Sequence, residues 1–309
     1  MDIFGIIMEQ IGLFIIYIVV GVILVKTKVF NANTLETLSR YVLKLGLPVM
    51  IFSSTVSGVD RAALIRSLPV LGLAVVFYFC TFFLGKGLAR LFHLQGSRAQ
   101  VYRALSMFGN VGFMGIPIIS SIFPEQGMLY ISVFTIIDQL VLWTLGVQLT
   151  GGGGKDSFQP KKMINPCTVA IVIAVLLVVT GIPLPQLLST ALSKIGATAT
   201  PMAMIYLGGV FACMDIRKYL GVKEFYGIVV VKMILFAVLF YLVTGFLPLD
   251  ESIHLTVSLL AAMPAMSSIV MMAKASGSEG DYAMGGIFVT TVCSIVTIPF
   301  TFWLIQMLF

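Results

Sequence analysis

The chain has 309 residues, 59% of them hydrophobic and only 10% charged, with a mean hydropathy of +1.06. Soluble domains carry about 25% charged residues, so a chain this poor in charge cannot clothe a water-facing surface; lipid is its main solvent and a soluble enzyme is excluded. The formal charge of +6 comes from basic residues scattered through polar breaks rather than gathered in one patch, which argues against nucleic acid as a partner.

About 20 apolar residues are needed per membrane helix. The apolar runs predict ten spans, near 6–25, 35–55, 67–90, 99–121, 126–149, 164–182, 194–213, 224–246, 252–273 and 282–307. The first begins beside Asp2 and Glu9 with no basic lead-in, as expected of a span that is kept rather than a cleaved signal peptide. In the second, Glu36, Arg40 and Lys44 recur every four residues on one face. Salt-bridge support near the membrane surface is expected of them, with an anion-attracting vestibule as the alternative. Ser53 beside Pro48, and Thr198 and Thr200 beside Pro201 in the seventh span, are candidates to line a cavity; polar packing contacts are the competing role.

The fourth span carries the most informative segment, Gly109-Asn-Val-Gly-Phe-Met-Gly-Ile-Pro117. In a helix interior each Gly costs about 1 kcal/mol and Pro about 3 relative to Ala, and lipid cannot satisfy the peptide groups that a break sets free. The segment is therefore expected to be buried in protein or to line a wet cavity. Half-helix N-termini facing a cavity carry partial positive charge and suit an anion, which makes Asn110, Gly112, Gly115 and Pro117 candidates for binding substrate. A Gly-rich packing face is the alternative, but packing alone does not call for Asn and Pro together. In the fifth span Asp138, followed by Gln139, sits at mid-membrane, where a carboxylate costs at least about 2.5–3.5 kcal/mol. Either it couples protons or contacts substrate, or it ties down backbone N–H groups of the broken fourth span.

Gly151 through Gly154, followed by Lys-Asp-Ser-Phe-Gln-Pro-Lys-Lys162, reads as a polar linker (151–163) between an N-terminal half, 1–150, and a C-terminal half, 164–309. Gly154-Lys155 is no phosphate loop, because Asp156 stands where Ser or Thr is needed. Lys232 in the eighth span is expected to be a snorkelling anchor. The ninth span repeats the break in Ala262-Met-Pro-Ala-Met-Ser-Ser-Ile269, where Pro264 frees a carbonyl and Ser267 and Ser268 offer hydroxyls. Cys80, Cys167, Cys213 and Cys293 show no C-x-x-C spacing, and His93 and His254 fall on opposite predicted sides. No metal site, cofactor or catalytic set is expected.

With the N-terminus outside, thirteen basic residues lie in cytoplasmic loops or at their edges (Lys26, Lys28, Lys86, Arg90, Arg98, Arg103, Lys155, Lys161, Lys162, Arg217, Lys218, Lys223 and Lys274). Only Arg61, Arg66 and Lys194 lie outside, so both termini are expected on the outer side. Five spans per half make the second half start from the opposite side, the pattern of an inverted repeat. Pro48 and Pro201 stand 153 residues apart, and Pro117 and Pro264 147 apart, so corresponding spans of the two halves are interrupted; coincidence among 12 prolines is the alternative.

These residues resemble the auxin efflux carrier family. The resemblance rests on Asn110-Val-Gly-Phe-Met-Gly-Ile-Pro117, the run Pro264 through Ala273, Gly280-Asp-Tyr-Ala283 and Thr290-Thr291, and it covers essentially the whole chain. Bacterial members include malate and malonate permeases. The resemblance implies a fold similar to bile-acid/sodium symporters: an all-α integral membrane protein of ten helices in two inverted five-helix repeats, with broken helices 4 and 9 crossing. It implies a scaffold of helices 1, 2, 6 and 7 that forms a homodimer, and a transport domain of helices 3–5 and 8–10 that moves as an elevator in the cell membrane. The substrate carboxylate is implied to bind at the crossing, which by position matches Pro117 and Pro264, with Asn110 in direct contact. The plant carriers have a long central loop where this chain has roughly a dozen residues, so loop phosphorylation is not implied and auxin is not the expected substrate. A carrier of small organic anions is therefore expected; a sodium-coupled symporter and a non-transporting receptor or sensor are the competing functions.

Overall fold

Backbone amides in lipid find no water to bond, so a chain this apolar has to satisfy them within helices. The computed structural model describes residues 3–58, 67–124, 126–151 and 166–308, and every regular element among them is helical. Six stretches are long and apolar enough to cross a bilayer: Ile3–Lys26, Leu68–Leu91, Leu129–Thr150, Gln186–Ala212, Lys223–Thr244 and Gly280–Leu308. Val111–Ile122, Pro166–Thr180 and Glu251–Ala262 are shorter apolar helices. The chain is a multi-pass helical membrane protein. The predicted linker beyond Gly151, with its lysines, and Arg61, Arg66 and Glu125 lie outside the described residues.

In order, the helices are α1 (Ile3–Lys26), α2 (Ala32–Tyr41), α3 (Leu47–Gly58), α4 (Leu68–Leu91), α5 (Gly96–Met107), α6 (Ile116–Ile122), α7 (Gly127–Val141), α8 (Val147–Thr150), α9 (Pro166–Thr180), α10 (Gln186–Ala197), α11 (Ala199–Ala212), α12 (Arg217–Leu220), α13 (Lys223–Gly227), α14 (Ala237–Thr244), α15 (Glu251–Ala262), α16 (Ser268–Ala275) and α17 (Gly280–Leu308). Wider π-helical turns join several of them, at Val42–Gly46, Val111–Gly115, Leu142–Gly146 and Ile228–Phe236.

The prolines act differently from one another. Pro48 was expected to interrupt the second span, yet α2, the turn Val42–Gly46 and α3 form one continuous helical run. A π turn directly ahead of Leu47 relieves the clash between the proline ring and the preceding carbonyls without opening the helix. Pro201 is the third residue of α11, in a first turn where the missing N–H costs little. On α2, Asn31 caps the N-terminus by accepting from the Thr34 N–H at 2.9 Å, and Arg40 pairs with Glu36 at the exposed surface.

Two compact units emerge from the packing. The first comprises Met1–Leu68, Gly112–Ile136 and Ile164–Asp215; the second comprises Pro69–Val111, Ile137–Met163 and Ile216–Phe309. In the first, α1 and α11 pack backbone to backbone. A Cβ on Gly21 would strike the Ile205 carbonyl, and one on Gly208 would strike the Ile18 carbonyl, so only glycine permits the approach. In the second, Phe77, Phe108, Tyr102, Phe225 and Phe302 fill the interior. At one end of it Arg98, at the start of α5, bonds Glu224 of α13 and lies 4.5 Å over the Tyr282 ring of α17. Burial alone would lower the Arg98 guanidinium, but its bonds to Glu224 and Tyr282 outweigh this and raise it above its ordinary value.

Candidate functional site

Two helices of the second unit come apart and pair with each other. α5 stops at Met107 and Phe108 turns extended, with φ −96° and ψ 111°. α15 stops at Ala262, and Met263 is extended with φ −64° and ψ 142°, the conformation that a following proline imposes. The extended stretches run antiparallel with Gly109 opposite Ala265. The Met266 N–H donates to the Phe108 carbonyl at 3.0 Å, and the Asn110 N–H donates to the Pro264 carbonyl at 2.8 Å. Ala265 N–H donates to Thr290 Oγ1 at 3.2 Å, and Lys232 Nζ donates to the Met263 carbonyl. Position 109 is closely packed: a Cβ there would stand only 3.2 Å from both the Leu260 carbonyl oxygen and Lys232 Nζ.

Several of the peptide groups freed by the breaks thus satisfy one another, where the sequence had suggested that they await a guest. The helix opens at Phe108–Asn110, ahead of Pro117, which is the second residue of α6 after the π turn Val111–Gly115. Side chains are what the crossing leaves over. Ser267 and Ser268, where α16 begins, are buried with hydroxyls that have no hydrogen-bond partner among the described residues, and so is Thr291 on α17. Asn110 is 1% exposed.

A second cluster of this unit surrounds Asp138, which is fully buried. Its carboxylate accepts from Tyr78 Oη and, at 2.9 Å, from Gln139 Nε2; Trp143 Nε1 donates to Gln139 Oε1 at 3.1 Å. Among the described residues no backbone N–H of the broken fourth helix reaches this carboxylate. It is held by side chains of its own helix and of α4.

The first unit contains a cavity of about 670 Å³ that Pro117, Ser53 and Thr200 line. Gln10, Tyr17, Ser54, Ser57, Ser120 and Ser193 add polar atoms, and no lining residue carries a formal charge. Thr198, expected to line a cavity, instead shares a 2.6 Å hydrogen bond with Tyr41 Oη and bonds the Ile195 carbonyl. Gly112 packs against Leu47 and Gly115 is buried; neither lines this cavity. The sequence candidates thus divide: Asn110, Pro264, Ser267, Ser268, Asp138 and Gln139 belong to the second unit, and Gly112, Gly115, Pro117, Ser53, Thr198 and Thr200 to the first.

Sequence reasoning missed Tyr78 and misjudged Lys232. Lys232 is 0% exposed and cannot be a surface anchor. The signal was its depth: it lies nine residues beyond the start of α13, about 13 Å along a helix axis, in an unbroken apolar run. Tyr78 is one more aromatic in Phe77-Tyr-Phe79, with nothing in that pattern to distinguish it.

A multi-pass helical bundle that buries a crossing of two broken helices and keeps an uncharged, hydroxyl-lined cavity defines a membrane transport protein as its class. The chain belongs to the auxin efflux carrier family: the family model described as membrane transport protein matches residues 6–160 and 155–302. It is similar to an uncharacterized transporter of Methanothermobacter thermautotrophicus, 24% identical over 292 residues that cover 92% of this chain and 94% of the relative. It is also similar to an uncharacterized transporter of Methanocaldococcus jannaschii, 24% identical over 213 residues, 65% of this chain and 68% of the relative.

Proposed function

We propose that this protein is a secondary carrier of small organic anions, carboxylates above all, with ten spans in two inverted five-helix repeats. The observation that carries the reading is the buried crossing, in which Gly109 faces Ala265 and Asn110, Ser267 and Ser268 stand within three residues of the paired positions. Broken helices of this kind bring partial charges and unspent donors into a region where lipid offers none. Asn110 and the two serines bind the carboxylate.

Transport proceeds by alternating access of the elevator type, with helices 3–5 and 8–10 (α4 to α8 and α13 to α17) in the moving domain and helices 1, 2, 6 and 7 (α1 to α3 and α9 to α11) in the scaffold. The contact grouping agrees with that division for α4, α5, α8 and α13 to α17 in the second compact unit and for α1 to α3 and α9 to α11 in the first, but it groups α6 and most of α7 with the first. Asp138, with Tyr78 and Gln139 around it, carries the coupling proton. The scaffold forms a homodimer, and both termini face the outer side of the cell membrane.

The test is flux of radiolabelled malonate and benzoate into proteoliposomes of the purified protein. Wild type is expected to move at least one of them, also in sodium-free buffer, while Asn110→Ala inserts and stays monodisperse but loses flux by tenfold or more. Undiminished flux in Asn110→Ala would remove the crossing as the binding site. Flux that requires sodium would favour a sodium-coupled symporter.

A further inference from the structure

Lys232 is the group that the mechanism above leaves unused. It sits in Ile-Val-Val-Val-Lys-Met-Ile-Leu-Phe, the widened turn Ile228–Phe236, with no exposed surface. Its Nζ donates to the Met263 carbonyl, directly before Pro264, and would lie 3.2 Å from a Cβ on Gly109. The amine therefore bonds one stretch of the crossing and lies close beside the other. Among the described residues it has no carboxylate within ion-pair distance and no second hydrogen-bond acceptor.

An ammonium has three donors, and a buried charge without a counter-charge is costly. A lysine kept here with one carbonyl for company has donors to spare. The surrounding groups lean the same way. The hydroxyls of Ser267, Ser268 and Thr291 are buried without partners among the described residues. The N-terminus of α16, the positive end of that helix, opens four residues after Pro264. The second unit's crossing is rich in donors, and no acid among the described residues pairs with its one amine. The ligand that answers such a region is an anion with several acceptor atoms.

We infer that Lys232 is a substrate-contacting residue whose amine neutralises one bound carboxylate, so that this site takes monocarboxylates and singly ionised dicarboxylates in preference to dianions. Amine and carboxylate form a net-neutral pair wherever their shared proton lies, and the carrier then needs no metal cation to bring the anion into a dry interior. This rests on the carboxylate-carrier reading above and adds the charge that selects among carboxylates.

The experiment is calorimetric binding of benzoate, its neutral isostere benzamide, and malonate to the purified full chain. Wild type is expected to prefer benzoate to benzamide. Lys232→Met and Lys232→Gln should weaken benzoate at least tenfold and leave benzamide unchanged, erasing the preference. A variant that is monodisperse yet keeps the wild-type preference overturns the role of Lys232 and leaves the crossing site standing. A wild type that binds no carboxylate sinks the carrier reading itself, and this inference with it. Should neither variant stay monodisperse, a density map of wild type with 4-bromobenzoate decides: a carboxylate within hydrogen-bond distance of Lys232 Nζ upholds the inference, and one ordered elsewhere overturns it.

Discussion

Thr290 does a small job with a measurable consequence. Its hydroxyl accepts from the Ala265 N–H and itself donates to the Gly286 carbonyl, one turn back on α17. Thr290→Val keeps the shape and removes the acceptor, leaving a buried N–H unsatisfied. Such a loss costs about 1–3 kcal/mol, and a lowered thermal unfolding midpoint of the detergent-solubilised variant would register it. Asp138 poses a different question at the same scale. Tyr78 and Gln139 both donate to it, so Asp138→Asn puts a carboxamide donor where the side chain must accept. If this residue carries the proton, uptake driven by an imposed proton gradient should fall to the rate without a gradient. Unaltered gradient-driven uptake in the variant would assign coupling elsewhere.

At the scale of elements, the two interrupted helices are set by different chemistry. α15 ends because Pro264 forces Met263 extended; α5 ends ahead of Gly109, which sits so near the Leu260 carbonyl and Lys232 that a side chain would be crowded. Pro264→Ala lifts the first constraint, and α15 gains a residue compatible with helix on both sides. The variant is expected to insert normally and to lose transport, since the antiparallel pairing needs both stretches extended. Gly208→Leu probes a helix contact instead. Its side chain would be forced onto the Ile18 carbonyl of α1, and overpacking of this sort typically costs about 1–3 kcal/mol. Reduced yield of monodisperse protein is the readout.

These elements also explain how far the sequence could be read. Helix positions were legible because apolar runs of about 20 residues in lipid satisfy their peptide groups as helices, and the two breaks because Gly and Pro are costly in such helices. What escaped was tertiary. A π turn lets Pro48 stay in a continuous run, Tyr41 draws Thr198 into a bond with it, and Lys232 finds the Met263 carbonyl 31 positions along the chain. None of these follows from local spacing.

For the whole molecule, the decisive property of a carrier is that one site meets both aqueous sides in turn, never both at once. Ser267 belongs to the proposed site, and it is buried with a hydroxyl that has no partner among the described residues. A cysteine there keeps nearly the same volume and reports access. Three of the four native cysteines, Cys80, Cys213 and Cys293, are partly or fully exposed and have to be replaced by serine or alanine first; Cys167 is buried and is removed for the same reason. A membrane-impermeant thiol reagent is then applied from either face of oriented vesicles. Alternating access predicts that Ser267→Cys is labelled from both faces, slowly, and that saturating benzoate slows labelling from at least one of them. A fixed pore predicts rapid labelling from both with no state dependence, and a receptor that transports nothing predicts labelling from one face only. Labelling confined to one face under every condition, with benzoate present or absent, would refute the carrier cycle even if benzoate bound tightly.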